Sequence, residues 1–118
     1  MVIKRQCKSN KSTFGISDMQ LTEVARIFSM LAESSRLKLL RELMHESMTV
    51  SELMEATGMQ QGNVSKHLSV LLSGGFVERV QEGNFARYVL CDPTVKTLCK
   101  LMCTRVEEYA RRRLKALS

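Results

Sequence analysis

Apolar residues fall into four helical stretches, one alternating stretch and a final helical stripe. Leu21, Val24, Ile27, Phe28 and Leu31 recur at the spacing of one helix face. Ser17-Asp18-Met19-Gln20 precedes them as a capping box, in which serine and glutamine satisfy free amides at a helix start. A second helix carries Leu37, Leu40, Leu43 and Met44, with Ser34 or Ser35 as its cap. A second capping box, Thr49-Val50-Ser51-Glu52, opens a short third helix with Leu53, Met54 and Ala56, closed by Gly58. After a tight connection at Met59-Gln60, a fourth helix runs from about Gln61 to Ser73. It turns Val64, Leu68, Leu71 and Leu72 inward and stops at Gly74-Gly75.

The period then changes. Residues 76–80 and 85–90 are rich in β-branched and aromatic side chains around a Glu82-Gly83-Asn84 turn, the pattern of a β-hairpin. Asp92-Pro93 starts a last helix, whose stripe carries Val95, Leu98, Cys99, Met102, Cys103, Val106, Tyr109, Ala110 and Leu114. Two short helices joined by a glycine-containing turn form a helix-turn-helix. The expected fold is therefore mainly α with a small β-hairpin, a winged helix-turn-helix of order ααααββα. Residues 1–16 lack apolar periodicity and are expected to form a mobile basic tail, and residues 17–118 the single folded domain.

The 118 residues include 18 lysines and arginines against 12 acids, a net charge of +6. Such a surface favours polyanions, nucleic acid first and anionic lipid second. No stretch has the length of a membrane span and no secretory signal is visible, so the expected location is the cytosol, where the four cysteines stay reduced.

The fourth helix carries the chemistry for reading DNA. With Val64, Leu68 and Leu71 inward, the residues expected to face DNA are Gln60, Gln61, Asn63, Ser65, Lys66 and His67. Glutamine and asparagine pair with adenine edges, and lysine meets guanine or a phosphate. The uncapped amides of a helix start also suit a phosphate. Arg79 and Arg87 flank the hairpin tip, where a basic ribbon can enter the adjacent minor groove.

In order along the chain, residues 31–40 (LAESSRLKLL), Val64-Ser65-Lys66-His67-Leu68, Gly75-Phe76-Val77 and the Glu82-Gly83-Asn84 turn resemble the ArsR/SmtB group of bacterial metal- and stress-responsive repressors. The resemblance covers about residues 20–110. It implies a homodimer built on the first and last helices, binding to an imperfect palindromic operator, and repression relieved by an inducer. Val95, Leu98, Met102, Val106 and Tyr109 supply an apolar seam for that dimer, beyond what a small winged helix buries by itself. Two-fold symmetry would then set the recognition helices about 34 Å apart, one DNA turn.

The resemblance also directs the search for an inducer. Where many relatives carry Cys-x-Cys at the third helix, this chain has Thr49 and Ser51, and hydroxyls are poor soft-metal ligands. Relatives that use Asp and His on the last helix have no counterpart, because the two histidines are His45 and His67. What remains is Cys99 and Cys103, one turn apart on the same face and about 6 Å along the axis. That gap strains a direct disulfide but suits a thiolate-bound metalloid such as arsenite, another thiophilic ion, or a persulfide or polysulfide bridge. A third thiolate would come from Cys91, Cys7 or the partner helix. Relatives that pair the last helix with a second-helix cysteine are not matched, since Leu40 and Arg41 stand there. Inert packing of both cysteines as small hydrophobes is the competing reading.

Other classes fit less well. A non-specific architectural protein would not need the polar selection on the fourth helix. A thiol oxidoreductase would want Cys-x-x-Cys at a helix start, and no phosphate loop, nucleophile elbow or carboxylate pair is present, so an enzyme is not expected. The Arg111-Arg112-Arg113 run suits the end of the last helix, where positive charge is favourable.

Overall fold

The computed structural model describes residues 15–117. The elements are α1 (Asp18–Leu31), α2 (Ser34–Leu43), β1 (Met48–Thr49), α3 (Val50–Thr57), α4 (Gln61–Ser73), β2 (Val77–Glu82), β3 (Phe85–Leu90) and α5 (Pro93–Leu117). Cys7 and the greater part of the expected N-terminal tail lie outside the described residues.

Local chemistry sets the helix starts. Ser17 Oγ accepts from the Gln20 amide at 3.2 Å, while Gln20 Oε1 accepts from the Ser17 amide at 2.8 Å. Thr49 and Glu52 exchange the same pair of bonds at the start of α3. At α2 neither serine is the cap. Glu33 occupies that position, and its carboxylate accepts from the Ser35 amide at 2.6 Å. An acidic cap also complements the positive end of the helix, which a serine hydroxyl does less strongly. Accepting that amide holds the Glu33 carboxyl below its ordinary range.

The hairpin is one edge of a three-stranded antiparallel sheet of order β1-β3-β2. Its register sets Val80 opposite Arg87 and Glu82 opposite Phe85. The added strand, β1, pairs Met48 with Tyr88 and Thr49 with Arg87. Two residues are too few to show a period of two, and Thr49 also serves as the α3 cap.

The core lies between α2, α3, α4 and the inner sheet face. Leu39, Leu40, Leu53, Val64, Leu68, Leu71 and Phe76 are all but inaccessible. In α2 it is Leu39 that faces inward, and Leu37 is exposed. Gly74 lets the end of α4 close over the core: a Cβ there would stand 2.6 Å from the Phe76 ring and 2.8 Å from Met30 Sδ.

Two helices leave this body with apolar residues uncovered. Along α1 only Leu31 is buried, while Leu21, Val24 and Phe28 are exposed. Asp92 Oδ1 caps α5 by accepting from the Thr94 and Val95 amides. That cap brings Val95 into the core and packs Leu98 and Cys99 partly against it. From Lys100 to Leu117 every residue of α5 is exposed. No helix among the described residues is long and apolar enough to cross a membrane.

Candidate nucleic-acid interface

The helix-turn-helix consists of α3, the turn at residues 58–60 and α4. Gly58 ends α3 at φ 76°, a left-handed conformation that glycine adopts without steric cost. Val64, Leu68 and Leu71 lock one face of α4 into the core. The other face presents Gln60, Gln61, Asn63, Ser65 and Lys66, all exposed. Among the described residues none of these five side chains is engaged in a hydrogen bond or ion pair within the protomer. Gln60, the residue before the helix, makes no side-chain cap bond, so the first amides of α4 remain open to an acceptor from outside.

His67 is not on that face. It is 5% exposed, and its Nδ1 accepts from Arg36 Nε at 3.3 Å. Residues 64, 67, 68 and 71 are spaced i, i+3, i+4 and i+7, the spacing of a single helix face, so His67 points inward with the leucines. The expectation that it meets DNA is corrected accordingly.

The wing is also rearranged relative to expectation. Arg79 is exposed and makes no ion pair among the described residues. Arg87 is half-buried in the middle of the hairpin. Its Nη1 donates to Ser47 O at 3.2 Å and to Glu52 Oε1 at 3.1 Å, and its Nε donates to Glu82 Oε1 at 3.2 Å. Arg87 thereby ties the wing to the start of α3 and is not a free arm at the tip. Its partner Glu52 sits below the ordinary carboxylate range, first through the Thr49 amide and then through Arg87. The tip itself carries Phe85, 68% exposed, next to Gly83 at φ 62°. Phe85 is not among the expected site residues; its place beside the turn is the sequence signal that it stays uncovered.

The expected seam divides in two. Val95 is buried in its own protomer and Leu98 partly so, which corrects Val95 as an interface residue. Met102, Val106 and Tyr109 remain exposed, and Arg113 lies 5.9 Å over the Tyr109 ring.

The thiols differ in setting. Cys99 is partly buried, while Cys103 and Cys91 are exposed. Burial, and secondarily the neighbouring Cys103, push the Cys99 thiol above its ordinary value. Burial and then Glu78 do the same for Cys91, whose Sγ lies 3.6 Å from Gly75 O. Among the described residues no group of three His, Cys, Asp or Glu is placed to hold a metal ion. A raised value leaves less thiolate at neutral pH, and thiolate is the reactive form. Iodoacetamide modification of Cys99, followed by peptide mass spectrometry, should therefore stay slow at neutral pH and accelerate only above the ordinary thiol range. Alkylation of Cys99 ahead of Cys103 at neutral pH would contradict this.

Fold and surface together define a winged helix-turn-helix domain whose second helix presents an unengaged polar face. Residues 33–79 match the family model described as bacterial regulatory protein, arsR family. The chain is 40% identical over 77 residues to a probable mercury resistance operon repressor of Streptomyces lividans, covering 65% of this chain and 62% of that one. The homodimeric winged helix-turn-helix DNA-binding domain of Mb0332 from Mycobacterium bovis, a possible ArsR-family regulator, is 33% identical. It superposes with a TM-score of 0.73 over 83% of this chain and 94% of that one. The AntR antimony-specific transcriptional repressor is 28% identical, with a TM-score of 0.78 over 89% and 98% of the two chains. The chain belongs to the ArsR family.

Proposed function

We propose that the protein is a homodimeric, sequence-specific DNA-binding repressor, released from its operator by a thiophilic inducer acting on α5. The observation that carries the first part is the face of α4: Gln61, Asn63, Ser65 and Lys66 stand free on a helix whose opposite side is locked into the core. Two such helices, related by the exposed seams of α1 and α5, match an imperfect palindrome. Arg79 and the wing tip then lie toward the flanking minor groove. The net charge of +6 supplies non-specific attraction to the duplex, and the cytosol is the matching location.

Cys99 and Cys103 form the candidate inducer site. Two sulfurs one turn apart fit a soft, thiophilic ion in donor chemistry, and similar proteins are named as a probable mercury resistance operon repressor and an antimony-specific repressor. Two thiolates make an incomplete site; Cys91 is not placed to join them, so a third thiolate would come from Cys7 or the partner's α5. An inducer that cross-links α5 helices need only prefer a dimer shape with the wrong recognition-helix spacing. A coupling of about 1–3 kcal/mol lowers DNA affinity about 5–150-fold.

The test is fluorescence anisotropy of the reduced protein on the duplex upstream of its own gene, with arsenite, zinc and polysulfide added in turn. Tight, selective binding released by one of them is expected. Asn63→Ala should lose about 1–3 kcal/mol of discrimination while keeping its affinity for a scrambled duplex. Equal loss on both duplexes would remove Asn63 from base reading. Replacing Cys99 and Cys103 with serine should abolish release and keep DNA binding; normal release in that variant would exclude both thiols.

A further inference from the structure

One guanidinium joins the end of α1 to the recognition helix. Arg36 Nη1 donates to Met30 O at 2.8 Å and lies 3.5 Å from Ser29 O, both in the last turn of α1. Its Nε donates to His67 Nδ1 on α4 at 3.3 Å. Last-turn carbonyls lack partners within their own helix, and a fixed planar fork is suited to meeting them and a third acceptor together. His67 is the one buried polar or charged side chain among the described residues. An arginine only donates, so Nδ1 is the acceptor of this bond.

We infer that Arg36 and neutral His67 form a strut that fixes α4 relative to α1, and that protonation of His67 releases the recognition helix from its DNA-reading position. A proton on Nδ1 removes the acceptor and sets a second cation against the guanidinium in a part-buried space. Among the described residues Arg36 bonds His67 and Glu33 acts on it through space, both from α2 and its cap. The Glu33 carboxylate is committed to the Ser35 amide, so it offsets the new charge only in part. Because α1 also belongs to the proposed dimer seam, the strut is a physical link between the packing of the dimer and the angle of α4. Arg36 and His67 are positioning residues and touch no DNA.

The inference rests on the DNA-binding reading, and the test separates the two. Anisotropy is measured with the full-chain homodimer on the duplex upstream of its own gene and on a scrambled duplex, from about pH 8 to about pH 5.5, the range in which an imidazole titrates. Selective affinity of the unaltered protein should fall about fivefold or more toward acid. His67→Asn keeps an oxygen acceptor that never titrates, so it should hold its affinity and lose the acid limb. His67→Leu and Arg36→Met should each weaken selective binding at pH 8 by about fivefold or more, and the double variant should be no worse than either. Circular dichroism and sedimentation establish that each variant is folded and dimeric; if His67→Leu does not fold, His67→Asn decides alone. Unchanged selectivity in His67→Leu, or an acid limb that persists in His67→Asn, would overturn the strut while leaving the repressor standing. No selectivity in the unaltered protein at pH 8 would overturn both.

Discussion

Glutamate at both Val106 and Tyr109 should yield a folded monomer that binds a palindromic duplex about 10²–10⁴-fold more weakly than the unaltered protein. The two side chains are 64% and 60% exposed in the protomer, so the body of α2, α3, α4 and the sheet loses nothing by their replacement. In the proposed dimer they lie against the partner's α5. There the glutamates would be buried close to their symmetry mates, next to the existing Glu107 and Glu108. Each recognition helix would keep its own half-site chemistry, and the loss would come from tethering, since the second half-site would no longer be held at high effective concentration. Sedimentation measures the first effect and anisotropy the second. A variant that stays dimeric would remove α5 beyond Cys99 from the seam. A monomer that keeps full affinity would show that one half-site suffices.

Phe76→Ala should cost about 3–5 kcal/mol of stability, a large part of the roughly 5–15 kcal/mol a domain of this size commands. The ring is 2% exposed and lies where Gly74 allows the end of α4 its close approach. The Phe76 amide donates to Leu71 O at 3.0 Å, and its carbonyl accepts from the Cys91 amide at 3.1 Å. One residue therefore joins the end of α4, the start of β2 and the link between β3 and α5. Urea unfolding at fixed protein concentration gives the value, since dimer formation makes stability concentration-dependent. A cost below about 1 kcal/mol would show that the ring is not packed as described. Phe76→Leu should be far milder, because an aliphatic side chain fills part of the same space.

Much of this architecture is legible in the chain, for reasons particular residues make clear. Both capping boxes, the glycine that ends α3, the bounds of α4 and the hairpin turn are local signals, and local chemistry decides them. Where structure and expectation differ, tertiary context decides. Val95 has the same spacing as Val106, and the two differ only because the Asp92 cap lays the first turn of α5 over the core. Leu37 and Leu39 are both leucines on one helix, and only the packing of α2 against its neighbours decides which is covered. For His67 the residue type outweighed the spacing: a polar side chain suggested the outer face, whereas the interval from Val64 to Leu71 set it on the inner one. Arg87 suggests a free arm because nothing near it in sequence reveals β1 or the Ser47 carbonyl just before that strand, 40 positions away. Among the proposed DNA-reading side chains, Gln61, Asn63, Ser65 and Lys66 were identified by elimination, since what a buried stripe leaves over must face outward.

The long unsupported run of α5 has a consequence for dosage. In the proposed dimer the exposed run of α5 gains its cover from a second copy, so pairing and the stability of that segment are linked. When the protein is scarce, the number of such pairs would grow as the square of the number of chains, and occupancy of the proposed operator would follow the same law. Halving expression would then cut repression more than twofold, and a modest rise would close the gene sharply. A cell could set the threshold of the response by how much of the regulator it makes, before any inducer arrives.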